Sequence, residues 1–105
     1  MVKLFCLIEN NPKPFPVDIE VEETIGDLKK RIKDKNARDL NDVNPVNLIL
    51  WKVDTPDDQE IDSSGLDPKD ELKPTRCVGH YWQTKPPMEH IHILVRVPFS
   101  KRLVF

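Results

Sequence analysis

The chain has 105 residues, of which 38% are hydrophobic and 32% carry a charge. This length holds one domain, and the composition is typical of a globular protein rather than a collagen-like or membrane chain. No apolar run approaches the ~20 residues that span a bilayer, so we expect no membrane partner. The formal net charge of −2 and the three glycines argue against a polyphosphate binder with a glycine-rich loop.

Two alternating segments near the N-terminus predict an antiparallel hairpin. In residues 2–8 and again in residues 15–21, apolar side chains recur at every second position, as they do in strands with one buried face. The Asn- and Pro-rich residues 10–14 between them favour a turn, because Asn tolerates left-handed dihedrals and Pro fixes φ.

The next segment predicts one main helix over residues 24–36. Thr24 and Asp27 have the spacing of a capping box, in which two side chains satisfy the first free N–H groups of a helix. An apolar stripe is formed by Ile25, Leu28 and Ile32. Asn36 is a residue type that commonly ends a helix.

Cations cover the rest of this predicted helix and the residues just after it. They are Lys29, Lys30, Arg31, Lys33, Lys35 and Arg38. A basic face can bind nucleic acid, but Asp27 and Asp34 dilute the charge and no aromatic side chain shares the face to stack on bases. We therefore expect a solvated helix surface and no nucleic-acid partner for this domain.

The second half of the chain predicts two more strands and two less regular segments. Residues 46–52 and 90–98 have the alternating pattern of strands. Residues 54–71 contain eight acids against one lysine, which predicts a surface loop with one helical turn around Leu66. Residues 73–90 predict either a short strand or a packed arm.

The order hairpin, helix, strand, long loop, strand predicts an α+β fold. It is the order of the ubiquitin-like β-grasp, in which a mixed sheet wraps one main helix and the last strand lies beside the first. Residues 17–21, 24–25, 48–50 and 91–97 resemble the corresponding strands and helix of ubiquitin.

A more specific resemblance is to the N-terminal region of the Crinkler effectors. It is carried by residues 1–6, 15–19, 26–29 and 92–98. The closing segment His92-Ile93-Leu94-Val95-Arg96-Val97-Pro98 matches the family's HVLVVVP motif at five of seven positions.

The translocation motif of that family, LxLFLAK, corresponds to the third predicted strand. The aligned residues are Val46, Leu48, Leu50 and Lys52, of which the two leucines and the lysine match. Ile49 and Trp51 depart from the motif, as does Val46. The resemblance therefore implies a translocation-like segment in altered form.

The resemblance also implies how the protein is used. Residues 1–98 would be a non-catalytic N-terminal domain, and residues 99–105 would begin a linker to a C-terminal effector domain. The whole protein would be secreted by a microbe into a plant host and act in the host nucleus. The alternative is that this domain precedes an enzymatic or nucleic-acid-acting domain beyond residue 105.

Metal binding and catalysis are not expected. Cys77, His80, His90 and His92 could supply four zinc ligands, but their spacing matches no common zinc site. There is no nucleophile elbow and no HExxH motif, so we expect no enzyme activity and no cofactor. Together with Cys6, Cys77 is expected to be a reduced thiol.

The strand alternation assigns side chains to the two faces of the sheet. Those expected to face the helix are Leu4, Cys6, Val46, Leu48, Leu50, Ile93 and Val95. Those expected on the outer face are Phe5, Leu7, Ile49, Trp51 and Leu94. Exposed together, five large apolar side chains form a patch unusual for a monomer.

Two explanations of that outer patch remain open. The 73–90 arm, with Tyr81 and Trp82, could cover it within the chain, or the patch could bind another protein. Trp82 and His92 are further candidate binding residues on the second explanation. We expect a homodimer through the outer sheet face and part of the 73–90 arm, with Trp51 or Trp82 near its centre, because aromatic side chains dominate interface hot spots. A host protein is the other partner considered.

Overall fold

The computed structural model describes residues 2–9, 13–37, 40, 43–56, 58, 68–86 and 88–97. Its strands are β1 (Val2–Ile8), β2 (Phe15–Ile19), β3 (Ile49–Pro56) and β4 (His90–Arg96). The main helix is α1 (Ile25–Lys35), and a short helix α2 (Val78–Tyr81) precedes β4. Single 3-10 turns lie at Pro45–Asn47 and Pro68–Asp70.

The four strands form one mixed sheet in the order β2-β1-β4-β3. β1 pairs antiparallel with β2 and parallel with β4, while β3 pairs antiparallel with β4 on the other side. The first and last strands are therefore neighbours at the centre, and α1 packs against one face. This arrangement confirms the predicted α+β fold of the β-grasp type.

Local sequence accounts for the bounds of α1. Thr24 is the N-cap: its Oγ1 accepts a hydrogen bond from the N–H of Asp27 at 3.2 Å, and Asp27 Oδ2 accepts one from the N–H of Thr24 at 3.2 Å. Asn36 is the C-cap, and its Nδ2 donates to the carbonyl of Ile32 at 3.0 Å. With its caps the helix occupies residues 24–36, as predicted.

The core lies between α1 and the sheet. Most side chains predicted to face the helix are buried there, namely Leu4, Cys6, Leu48, Leu50, Ile93 and Val95. From α1 they meet the apolar stripe of Ile25, Leu28 and Ile32. The apolar stripe of α1 therefore packs against the apolar face of the sheet, as the helical and strand periodicities of the sequence predict.

The prediction for Val46 and for the bounds of its strand is wrong. Val46 lies in the 3-10 turn and its side chain is 68% exposed. The turn forms because Pro45 begins it and the Asn44 side chain accepts the N–H of Val46 at 3.2 Å. The strand starts only at Ile49 and continues to Pro56, into the stretch predicted as loop.

The 73–90 arm packs on the helix side of the sheet, so the first of the two explanations, in which the arm covers the outer face, is wrong. The N–H of Ile25 donates to the carbonyl of Arg76 at 2.8 Å, and the N–H of Val78 donates to that of Glu23 at 2.8 Å. Trp82 follows α2 and is buried in the core. The arm therefore closes the core at the start of α1.

One cation of the predicted basic face is not solvated. Lys29 is only 6% exposed, and burial lowers the pKa of its amine while the charge of Glu71 opposes that shift. On the exposed side of α1, Arg31 forms an ion pair with Glu23 at 3.1 Å. Arg38 lies outside the described residues.

Other predictions also fall outside the described residues. These are the helical turn around Leu66, the strand end at Pro98 and the linker at 99–105. In the part of the chain that is described, no helix has the length and apolar character needed to cross a membrane.

Replacing Leu28 by alanine tests the packing of α1. Leu28 is fully buried, so Leu28→Ala should lower the free energy of unfolding by about 2–5 kcal/mol. Lys30→Ala is the matched control, because Lys30 lies exposed on the same helix. Urea denaturation of both variants measures the difference, and equal midpoints would show that the stripe is misassigned.

Candidate protein-interaction site

The outer face of the sheet, opposite α1, is apolar but less exposed than predicted. Leu94 is only 2% exposed and Trp51 only 7%, whereas Phe5, Leu7 and Ile49 are partly exposed. Leu94 lies on a central strand, with Leu7 in register on one side and Trp51 on the other, and the Arg96 side chain lies over the Trp51 ring. The exposed apolar surface is therefore the margin of this row.

Trp51 is held under a charged pair. The Arg96 guanidinium lies 5.8 Å from the centre of the Trp51 ring, a cation–π distance, and Arg96 Nε pairs with Glu9 Oε1 at 3.3 Å. The indole Nε1 of Trp51 is buried and has no acceptor in the described part of the chain. Most buried donors have a partner, so this one marks the face as unusual.

The residues aligned with the translocation motif do not share one surface. Leu48 and Leu50 are core residues, whereas Val46 is exposed in its turn. The Lys52 amine lies on the helix side of the sheet, where it donates to the carbonyl of Tyr81 and sits 5.5 Å from the Trp82 ring. Both leucines and the lysine therefore have structural roles, and a part in delivery stays a prediction.

Trp82 does not belong to the outer face. It is buried in the core on the opposite side of the sheet, together with residues of α1 and the sheet. Sequence alone could not assign it, because its position depends on how the 73–90 arm crosses the molecule. The outer face therefore consists of Phe5, Leu7, Ile49, Trp51 and Leu94, with His92 at one end.

His92 marks the point where the central strands separate. The β1–β4 register covers only Cys6 to Ile8, and in place of a carbonyl the Nδ1 of His92 accepts the N–H of Phe5 at 3.0 Å. His92 is buried, and its ring lies 6.2 Å from that of Phe5. A side chain thus completes the hydrogen bonding where the ladder stops.

A bulge in β3 explains the separation. Lys52 pairs with Ile93 and Thr55 with Ile91, so Val53 and Asp54 together stand opposite His92. A bulge increases local twist and bends the strand pair, which turns the start of β4 away from β1. Asp54 Oδ1 contacts His90 Nδ1 at 2.5 Å and fixes the bulged residue to β4.

The separation opens a cleft of about 830 Å³, here called the β1–β4 cleft. Its apolar lining comes from Val2, Phe5, Trp82, Pro86, Met88 and Ile91. Met88 is 75% exposed, and the next residue, Glu89, has a φ of 61°. Sequence reasoning missed this cleft; the available signal was His92, a histidine between the apolar residues Ile91 and Ile93 of the last strand.

The residues considered for metal binding lie apart. His80 packs edge-on to Tyr81 with ring centres 4.9 Å apart, while His90 contacts Asp54 and His92 bonds to Phe5. Among the described residues, no group of three His, Cys, Asp or Glu side chains is placed to hold a metal ion.

The fold and these surfaces define a ubiquitin-like β-grasp domain with an apolar outer sheet face. Residues 2–96 match the family model of the Crinkler effector protein N-terminal domain. The chain therefore belongs to the Crinkler effector family, as its sequence motifs predict.

Individual relatives agree with this assignment. Crinkler effector protein 1 of Rhizophagus irregularis is 37% identical over 103 residues, covering 94% of this chain and 22% of that protein. Crinkler effector protein BLC01 of Bremia lactucae is 43% identical over 56 residues, covering 51% of this chain and 28% of that protein. Crinkler effector protein 5 of Phytophthora infestans is 46% identical over 54 residues, covering 49% and 16%. The match thus spans less than a third of the length of each of these relatives.

The two free thiols should differ in reactivity. Cys6 is fully buried and its burial raises the pKa of the thiol far above its usual range, whereas Cys77 is exposed. Because the thiolate is the reactive form, iodoacetamide should modify one thiol per native chain and both after denaturation. Mass spectrometry measures this. Modification of Cys6 in the native protein would contradict the core packing.

The hydrogen bond at His92 can be tested by two substitutions. His92→Leu removes the acceptor and leaves the N–H of Phe5 unsatisfied, which should cost about 1–3 kcal/mol of unfolding free energy. His92→Asn can keep an acceptor oxygen near the position of Nδ1 and should cost less. Denaturant titration compares them. A leucine variant as stable as the asparagine variant would show that the bond contributes little.

Proposed function

We propose that this domain is a non-catalytic header of a Crinkler effector and that it works by protein–protein contact through its outer sheet face. The observation that carries the proposal is the row Leu7–Leu94–Trp51, which crosses three strands and is bordered by partly exposed Phe5 and Ile49. Leu94 and Trp51 are themselves buried, so the surface that another protein can contact is the partly exposed margin formed by Phe5, Leu7 and Ile49. Exposed apolar side chains grouped in this way favour association.

Self-association is the contact that this face fits best. A twofold dimer uses the same patch on both copies. Each charge in the patch must therefore meet an opposite charge of the same patch on the other copy. Glu9 and Arg96 carry opposite charges beside Trp51 and can meet their counterparts across a twofold axis. The indole N–H of Trp51 is buried without an acceptor in the described part of the chain. A rearrangement of the surrounding side chains when the dimer forms would let this N–H reach an acceptor. A host protein with an apolar, mixed-charge surface is the second candidate partner.

Family membership supports a role in infection or colonisation of a host. Crinkler effectors are secreted effectors that act in host cells. We propose that this chain takes part in delivery of the protein into host cells and that the complete protein reaches the host nucleus. Because the match covers only 22% of Crinkler effector protein 1 and 28% of Crinkler effector protein BLC01, the alternative is that this domain precedes an enzymatic or nucleic-acid-acting domain.

Light scattering coupled to size exclusion tests the proposed dimer. The chain should have a dimeric mass at about 100 μM and shift toward monomer on dilution. Ile49→Asp should abolish the dimer, because it places a charge in the apolar margin of the face. Val46→Asp is the matched control: Val46 is an exposed apolar side chain outside that face, and its change should leave the mass unaltered.

Two results would contradict this proposal. A monomeric mass at every concentration up to about 100 μM would exclude a dimer of useful affinity. A dimer that survives Ile49→Asp would place the interface elsewhere. Circular dichroism of each variant verifies that the fold is retained.

A further inference from the structure

We propose that the β1–β4 cleft binds an extended peptide segment of a partner protein, in which apolar side chains alternate with carboxylates, and that this segment adds a short strand to β1. The cleft shares Phe5 and His92 with one end of the outer face, but Leu7, Trp51 and Leu94 do not line it. The proposal does not depend on association through the outer face. Three features carry the inference: free strand backbone, an apolar lining and unpaired cations at the rim.

The backbone of β1 is available at the cleft. Pro16 stands opposite Phe5 in the β1–β2 register and has no N–H, and Phe5 directs its own N–H the other way, toward His92. Main-chain direction alternates along an antiparallel strand, so Lys3 also directs its N–H and carbonyl toward the cleft. The β1–β4 ladder ends before it reaches Lys3. An incoming strand can bond there, as in recognition by strand addition.

The size of the opening fits a short peptide. An extended segment beside Val2 to Phe5 has room for three or four residues, at a rise of about 3.3 Å each. It would bond to the N–H and carbonyl of Lys3, because the N–H of Phe5 is already bonded to His92. The volume of about 830 Å³ is within the usual range for ligand sites, about 300–1,000 Å³. Small polar molecules would leave most of the apolar lining unfilled.

The apolar lining requires apolar side chains from the occupant. Val2, Phe5, Trp82 and Ile91 form its walls, and Met88 stands exposed at its mouth. Methionine is flexible and polarisable, and it is common on surfaces that adapt to several partners. An exposed Met88 at the mouth of the cleft could therefore pack over an apolar side chain of the bound peptide.

The charges at the rim select carboxylates. Lys3 and Lys85 line the cleft, both are exposed, and neither forms an ion pair with a described residue. Glu89 is the one carboxylate among the described lining residues. His90 already contacts Asp54. Complementary charges steer association and penalise cationic competitors, so an acidic apolar segment is preferred.

NMR titration of the ¹⁵N-labelled chain tests this inference. The probe is the peptide acetyl-Glu-Phe-Glu-Val-Glu-amide, in which the apolar side chains fall on one side of a strand and the carboxylates on the other. Saturable shifts are expected at the amides of Lys3, Phe5 and 88–92. The same peptide with Lys in place of Glu should bind at least about tenfold more weakly.

Variants of the chain separate the cleft from other surfaces. Met88→Asp and Lys85→Glu should each weaken binding about tenfold, and both residues are exposed, so the fold should be retained. Val46→Asp is the control and should bind normally. A peptide with N-methylated amides should lose binding if strand pairing is involved.

Several results would overturn the inference. Shifts confined to Ile49, Trp51 and their neighbours would assign the peptide to the outer face. Equal binding of the Lys peptide, or no saturable shift at millimolar peptide, would exclude an acidic strand in the cleft. A negative result in the peptide titration does not affect the proposed dimer, because the dimer is tested separately by the molecular mass of the chain and of the Ile49→Asp variant.

Discussion

The parallel pairing of the first strand with the last is the constraint on which this structure depends. It joins the two ends of the folded domain at the centre of the sheet, and the core between α1 and the sheet includes Ile93 and Val95 of β4. The pairing is short, because it covers Cys6 to Ile8 only. Where it stops, the His92 side chain takes the place of a strand carbonyl and bonds to the N–H of Phe5.

Both candidate surfaces follow from this limited pairing. Where β1 and β4 remain together, Leu94 lies between Leu7 and Trp51 and the outer face is a closed apolar row. Where they separate, the bulge opposite His92 opens a cleft with unpaired strand backbone. One sheet thus offers a flat surface suited to a second folded partner and a groove suited to an extended chain. Neither requires a catalytic group.

Local signals were sufficient for much of the fold but not for its long-range contacts. The capping pair and stripe of α1 predicted its bounds, and strand alternation assigned the core leucines. The turn at Val46 was missed because the strand-like pattern outweighed Pro45. Lys29 was assigned to solvent because its burial is a tertiary effect that the helical pattern does not show. The side of the sheet taken by Trp82 likewise depends on contacts far apart in sequence. The cleft arises from a bulge, which alternation cannot indicate.

Hydrogen exchange of individual backbone amides, followed by NMR in the unmodified chain, is the most direct test of the separated strands. The amides of Phe5 and Glu9 donate to His92 Nδ1 and to the Val95 carbonyl, so both should exchange slowly. The amide of Lys3 faces the cleft beyond the end of the ladder and should exchange at nearly the rate of an unstructured peptide. Protection of Lys3 equal to that of Phe5 would show that β1 and β4 pair along their whole length, and it would contradict the open cleft.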